Sequence, residues 1–171
     1  MFLRTLDTKS KVVAIGLLIA MVGSAVFARQ SVKSAASGPD CISVSLLEQS
    51  KLTTEGCNSP VGFCAAGTFK GNHGFKGASF FSAISFNPIA NDPQGRQVVP
   101  GVSTYTTEDG SITISDVSVF DTARGTFSGV GRIVQGTGRF AGATGDVFTA
   151  GHALPDGSFT NELNGEICLP N

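Results

Sequence analysis

The chain has no tryptophan, one tyrosine and two histidines among its 171 residues, and only 15% of it is charged. Each shortage removes a class of function. With Tyr105 as the sole tyrosine, a sugar site lined by aromatic rings is disfavoured. His73 and His152 stand apart and no C-x-x-C occurs, so zinc-ligand spacing is missing and no metal is expected. There is no G-x-S-x-G elbow to present a nucleophilic serine. Twelve basic residues against thirteen acidic ones, with no basic cluster, lack the electrostatic footprint of a nucleic-acid or anionic-membrane partner. No window holds a sustained 3.6-residue apolar stripe, which argues against a helical domain.

The informative features begin at the N-terminus. Arg4, Lys9 and Lys11, with Asp7 among them, precede the apolar run Val12 to Val22, and Val26-Phe27-Ala28 offers small residues at the positions a signal peptidase inspects. The pattern is a secretory signal peptide over 1–28, cut after Ala28; the competing reading is a retained anchor, for which the run is short. Ser, Ala and Gly-rich residues 29–40 read as a flexible leader, and 41–171 as one domain. Nine basic and twelve acidic residues remain after position 28, on a chain destined to be secreted or periplasmic. All four cysteines, Cys41, Cys57, Cys64 and Cys168, fall in that exported part, and an even count in an oxidising compartment reads as two disulfides. Of three possible pairings we favour Cys57–Cys64, across the turn-forming loop CNSPVGFC, with Cys41–Cys168 tying the two chain ends.

From Cys41 onward, short runs of Val, Ile, Thr and Phe alternate with Gly, Asn, Asp and Pro, the rhythm of β-strands. In CISVSLL, Ile42, Val44 and Leu46 share one face. In SFTNELNGEICL, Phe159, Leu163, Ile167 and Leu169 share one, and Thr160, Glu162, Asn164, Glu166 and Cys168 take the other. Antiparallel pairing of these two strands places Cys41 opposite Cys168 and makes first and last strands neighbours, which closes a sheet into a barrel. Six more strands are expected near 61–70, 75–86, 97–107, 111–120, 126–135 and 145–153. The fold class is therefore all-β, an eight-stranded antiparallel closed β-barrel. Ile42, Val44, Leu46, Phe80, Ile84, Phe86, Phe159, Leu163 and Ile167 are the expected lumen or core residues. Strand 75–86 is apolar on both faces and calls for a cover, by a helix, a loop or another subunit. Ile112 and Ile114 stand out of phase with Val117 and Val119, and we assign the slip near Asp116 to a β-bulge.

The stretch GTGRFAGATG, Gly136 to Gly145, imitates the G-x-G-x-x-A turn of a dinucleotide site. That turn needs a following helix. Here strands lie on both sides with no room for one, so Gly136, Gly138, Gly142 and Gly145 are read as backbone turn positions that deliver Phe140 to the core, and no cofactor is expected.

GRIVQGTGRFAGATGD resembles the G-G-T-G-x-F-x-x-A-x-G hallmark of the allene oxide cyclase barrel-like and dirigent-like proteins, with Gln135 replacing the first glycine. GCNSPVGFCAAGTFKG and DGSITISDVSVFD resemble parts of the bacterial exported branch. The resemblance covers most of 41–169 and implies an eight-stranded antiparallel barrel, with a homo-oligomer as an expectation carried from plant members. Such barrels hold a reactive apolar molecule in one shape, a matter of conformational restriction. The plant catalytic residues do not map onto this chain.

Ionisable candidates are few. Tyr105 can protonate an oxyanion or simply pack, and His152, in phase with Asp146 and Phe148, can serve as a base. His73 sits in a turn and reads as solvated, as do Glu162 and Glu166 on the polar face. Arg139 bonds nearby carbonyls or faces an anion at the barrel mouth. Two functions follow: an exported, non-catalytic barrel that binds a small apolar ligand or acts as an interaction module, or a cofactor-free cyclase or isomerase. Export and the scarcity of convergent ionisable groups favour the first.

Overall fold

The computed structural model describes residues 40–170. The signal-peptide reading and nearly all of the leader lie outside them. Nine strands follow one another: β1 (Asp40–Leu52), β2 (Cys64–Gly71), β3 (Lys76–Ala83), β4 (Asn87–Pro88), β5 (Gln97–Thr107), β6 (Gly110–Asp121), β7 (Thr126–Gly136), β8 (Asp146–Ala153) and β9 (Ser158–Leu169). Their order in the sheet is β3-β2-β1-β9-β8-β7-β6-β5, and β3 pairs with β5 to complete the circle. Two-residue β4 hangs on the start of β5. The result is a closed eight-stranded antiparallel barrel, with no free edge among its long strands.

The seam is the ladder between β1 and β9, from Asp40↔Leu169 to Lys51↔Ser158. Alternation dictates that each strand sends every second side chain inward. Cys41 and Cys168 face each other across this ladder and are bonded, as are Cys57 and Cys64. The hairpins obey their local chemistry. Asn72–Gly74 turns β2 into β3 with positive φ at His73 and Gly74, the values a tight hairpin turn demands. Asn72 also reaches β1, where its side chain accepts from the Ser45 N–H and donates to the Ser43 carbonyl.

The core fills one end of the barrel. Val44, Leu46, Phe69, Ile133 and Ile167 pack there with Phe75 and Phe140, and Ile42 and Leu169 lie against them. Phe140 is only 1% exposed. It is delivered by the turn Gly138–Phe140 between β7 and β8, so the glycine stretch serves the core. Gly138 has φ +58, and a Cβ there would lie 2.1 Å from the Asp109 carbonyl oxygen. Arg139 pairs with Asp109 at 3.0 Å and lies over the Phe140 ring.

Three expectations need correction. Phe80 does not line the lumen. It stands on the outer phase of β3, opposite Ala66 and Thr104, while Phe81 points inward. Strand β3 is apolar on both phases, so its own pattern does not fix the parity. The pairing does: inward Gly101 leaves room for the Phe81 ring, whose nearest carbon lies 2.3 Å from where a Cβ would stand. Ile84 lies past the end of β3 and is 48% exposed. The phase slip at Asp116 is also absent. Ile112, Ile114, Asp116, Ser118 and Phe120 alternate inward without interruption, and Val117 and Val119 are exposed. The register shift lies instead near Thr113 and Ile114, where β7 carries an extra residue.

Candidate functional site

Above the packed core, the inward positions change character. Glu48 follows Val44 and Leu46 on β1, Tyr105 follows Val99 and Ser103 on β5, and Asp116 follows Ile112 and Ile114 on β6. Thr149 follows Val147 on β8, and Asn161 lies between Phe159 and Leu163 on β9. Alternation leaves these polar side chains no outward option, and together they form a tier across the lumen.

The tier is hydrogen-bonded as a relay. Thr149 Oγ1 donates to Asn161 Oδ1, and Asn161 Nδ2 donates to Glu48 Oε2 at 3.1 Å. Tyr105 Oη donates to the same Glu48 oxygen at 2.9 Å. On the facing wall, Ser103 Oγ donates to Asp116 Oδ2 at 2.7 Å. Glu48 is 6% exposed and Asp116 8%. Asp116 Oδ1 is buried with no hydrogen-bond partner, and Ser79 Oγ on β3 is likewise unmatched.

Burial governs the electrostatics. The Asp116 carboxyl is pushed up to about 6, first by loss of water; the Ser103 hydrogen bond opposes this and the Glu48 charge adds to it. The Tyr105 phenol is held well above its usual value by burial and by the neighbouring Glu48 carboxylate. A carboxyl near 6 exchanges its proton close to neutrality, which is what acid–base chemistry requires of a side chain.

A third tier rings the half-open opposite end of the lumen. Phe63, Phe81, Phe86, Phe120, Phe127 and Phe159 line it, and all six are half-buried. Phe63 is the hub, edge-on to Phe81, Phe86 and Phe159 with ring centroids 5.3 to 6.3 Å apart. It is held by the Cys57–Cys64 loop, where Ser59 Oγ accepts from the Phe63 N–H and donates to the Ala83 carbonyl. Between phenylalanines and polar tier lies a half-enclosed cavity of about 100 Å³.

The expected lumen residues thus divide. Ile42, Val44, Leu46, Leu163 and Ile167 belong to the packed end, whereas Phe86 and Phe159 line the cavity, which Leu163 also touches. Tyr105, 2% exposed, is in the site. His152, Glu162 and Glu166 are exposed on the outer phase, His73 is exposed in its hairpin, and Arg139 is engaged at the far turn. Sequence reasoning missed Glu48, Asp116, Thr149 and Asn161. The signal that finds them is a polar residue in phase with the oily face of its own strand.

Fold and site together define a closed antiparallel barrel with a half-open lumen, carrying two buried carboxylates above an apolar plug. Comparison with family models, curated proteins and solved structures finds no match for this chain. Among the described residues no helix is long and apolar enough to cross a membrane, and no group of three His, Cys, Asp or Glu could hold a metal ion.

Proposed function

We propose that the chain is an exported ligand-binding barrel of the allene oxide cyclase barrel-like and dirigent-like type, enclosing one small, largely apolar molecule by a single polar group. The observation that carries this reading is the cavity of about 100 Å³ between six phenylalanines and a hydrogen-bonded polar tier. Apolar walls supply affinity in proportion to the area they cover, at roughly 25 cal/mol per Å². A few convergent polar groups fix orientation, the usual division of labour in small-molecule sites. Two disulfides support a life outside the cytoplasm. The motif around Gly136 to Phe140 and the eight-stranded closure support the family. A homo-oligomer is supported by an apolar row on the outer face, where Val117, Val130 and Phe148 stand side by side on β6, β7 and β8 and Phe148 is 64% exposed.

Native mass spectrometry of the protein purified from its own host tests the reading. The expected result is an adduct of a few hundred daltons or less, released on denaturation and absent from a Ser118→Phe variant that fills the cavity. A bare mass for the wild-type protein, unchanged by small apolar additives, overturns it.

One observation favours a second reading, a cofactor-free isomerase or cyclase. Asp116 lines the cavity, carries one carboxyl oxygen with no hydrogen-bond partner, and is pushed up to about 6 by burial. Such a group can withdraw a proton from a bound molecule or return one, with Glu48 and Tyr105 close by. Turnover that is lost in Asp116→Asn while ligand binding persists distinguishes catalysis from binding alone.

A further inference from the structure

The cavity contains two carboxylates and no positive group. None of the residues lining it is Lys, Arg or His. The four ion pairs of the described residues all lie elsewhere: Arg96–Asp92, Arg124–Asp121, Arg132–Asp146 and Arg139–Asp109. Glu48 is partly compensated, since Tyr105 and Asn161 donate to it. Asp116 is not: Ser103 satisfies one oxygen, and the other is buried with no partner. Buried charge without a counter-charge is costly, and proteins keep it mainly where something else supplies the missing partner.

From this geometry we infer that the cavity is built for a small organic cation, an apolar primary or secondary amine whose ammonium group sits between Asp116 and Glu48. The inference rests on the ligand-binding reading above and names the chemical class of the ligand. An ammonium N–H directed at the Asp116 carboxylate supplies the partner that Oδ1 lacks, and its positive charge relieves the repulsion between the two carboxylates. The methylene next to it passes through the cavity, and the apolar remainder meets the phenylalanine ring. That ring suits a cation as well, because an aromatic face attracts positive charge within about 6 Å. Six half-exposed phenylalanines at the mouth of an acidic lumen therefore favour amines twice over, by charge at the bottom and by ring faces on the way in. The volume sets the size. An engineered apolar cavity of ~150 Å³ admits benzene, so about 100 Å³ holds the head and first carbons, with a ring or branched tail left among the phenylalanines.

Three probes of nearly equal shape test it by isothermal titration calorimetry at pH 7.5: benzylamine, benzyl alcohol and phenylacetate. Benzylamine is expected to bind at least tenfold more tightly than benzyl alcohol, and phenylacetate not at all. In Asp116→Asn the preference for amine over alcohol should collapse to a few-fold or less. Glu48→Gln is the second variant, and it should also reduce that preference. If benzyl alcohol binds as tightly as benzylamine, the amine assignment fails while the binding reading stands. If phenylacetate binds best, the assignment fails in the same way, and Asp116 acts as a protonated donor. If none of the three binds and the protein from its host carries no adduct, both readings fall.

Discussion

At the end of the barrel bounded by the turns at Asn72–Gly74 and Gly138–Phe140, Phe69 on its strand, Phe75 and Phe140 from the turns and their aliphatic neighbours pack together and are buried. At the other end six half-exposed phenylalanines, four on strands and Phe63 and Phe86 on loops, stand above a tier of acids, amide and hydroxyls. Both ends are rich in phenylalanine, so composition does not distinguish them. What differs is the residue next along the inward phase: Ile and Val below, Glu48, Asp116 and Asn161 above. A barrel stiffened at one end can carry an unfavourable, water-poor group at the other, because closure and the plug hold the strands in place.

The two disulfides divide along the same line. Cys41–Cys168 closes a long loop at the packed end, and Cys57–Cys64 a short one beside Phe63. Chain-entropy arguments give ceilings of about 5 kcal/mol for the first and about 2.5 kcal/mol for the second. Cys168→Ser should therefore lower the denaturation midpoint far more than Cys57→Ser; equal shifts would break the comparison. Next in size, Phe140→Ala should cost about 3–5 kcal/mol by urea denaturation, as an aromatic removed from a filled core does. Phe120→Ala, at the half-open end, should cost a good deal less.

A third test uses pH. The folded Asp116 carboxyl lies near 6, above its unfolded value, so the native protein binds the extra proton. Stability from this group is present at low pH and is lost as pH rises from about 4 to about 6, on the order of 3 kcal/mol for a displacement of this size. Other acids move the opposite way; Asp92, for example, is held at about 2 by Arg96. The readout is therefore the difference between wild type and Asp116→Asn. The variant should gain stability relative to wild type across that window and hold the gain above it. The smallest effect belongs to Arg139→Ala, which breaks an exposed pair with Asp109 and should cost less than about 1 kcal/mol.

Much of the architecture was legible. The clean alternation of Ile42, Val44 and Leu46 and of Phe159, Leu163 and Ile167 implied neighbouring end strands, and Cys41 opposite Cys168 follows from that pairing. The strand limits were close because turn residues such as Asp109-Gly110 mark them. The site was hidden by the rule that revealed the fold. The out-of-phase apolar pair Val117 and Val119 turned Asp116 into a supposed bulge. In the folded chain these valines face outward, and the carboxylate takes the interior. Strand β3 failed for a different reason. With apolar residues on both phases, its parity rests on neighbours such as Gly101, which a single strand's pattern does not contain.

The central claim is that alternation forces a carboxylate into a water-poor lumen, and a carbon-13 NMR titration of the Asp116 side-chain carboxyl tests it most directly. The account predicts a midpoint near 6, moving downward when benzylamine is added. A midpoint near 4, unchanged by the amine, would place Asp116 in bulk water and contradict both the register of β6 and the site built on it.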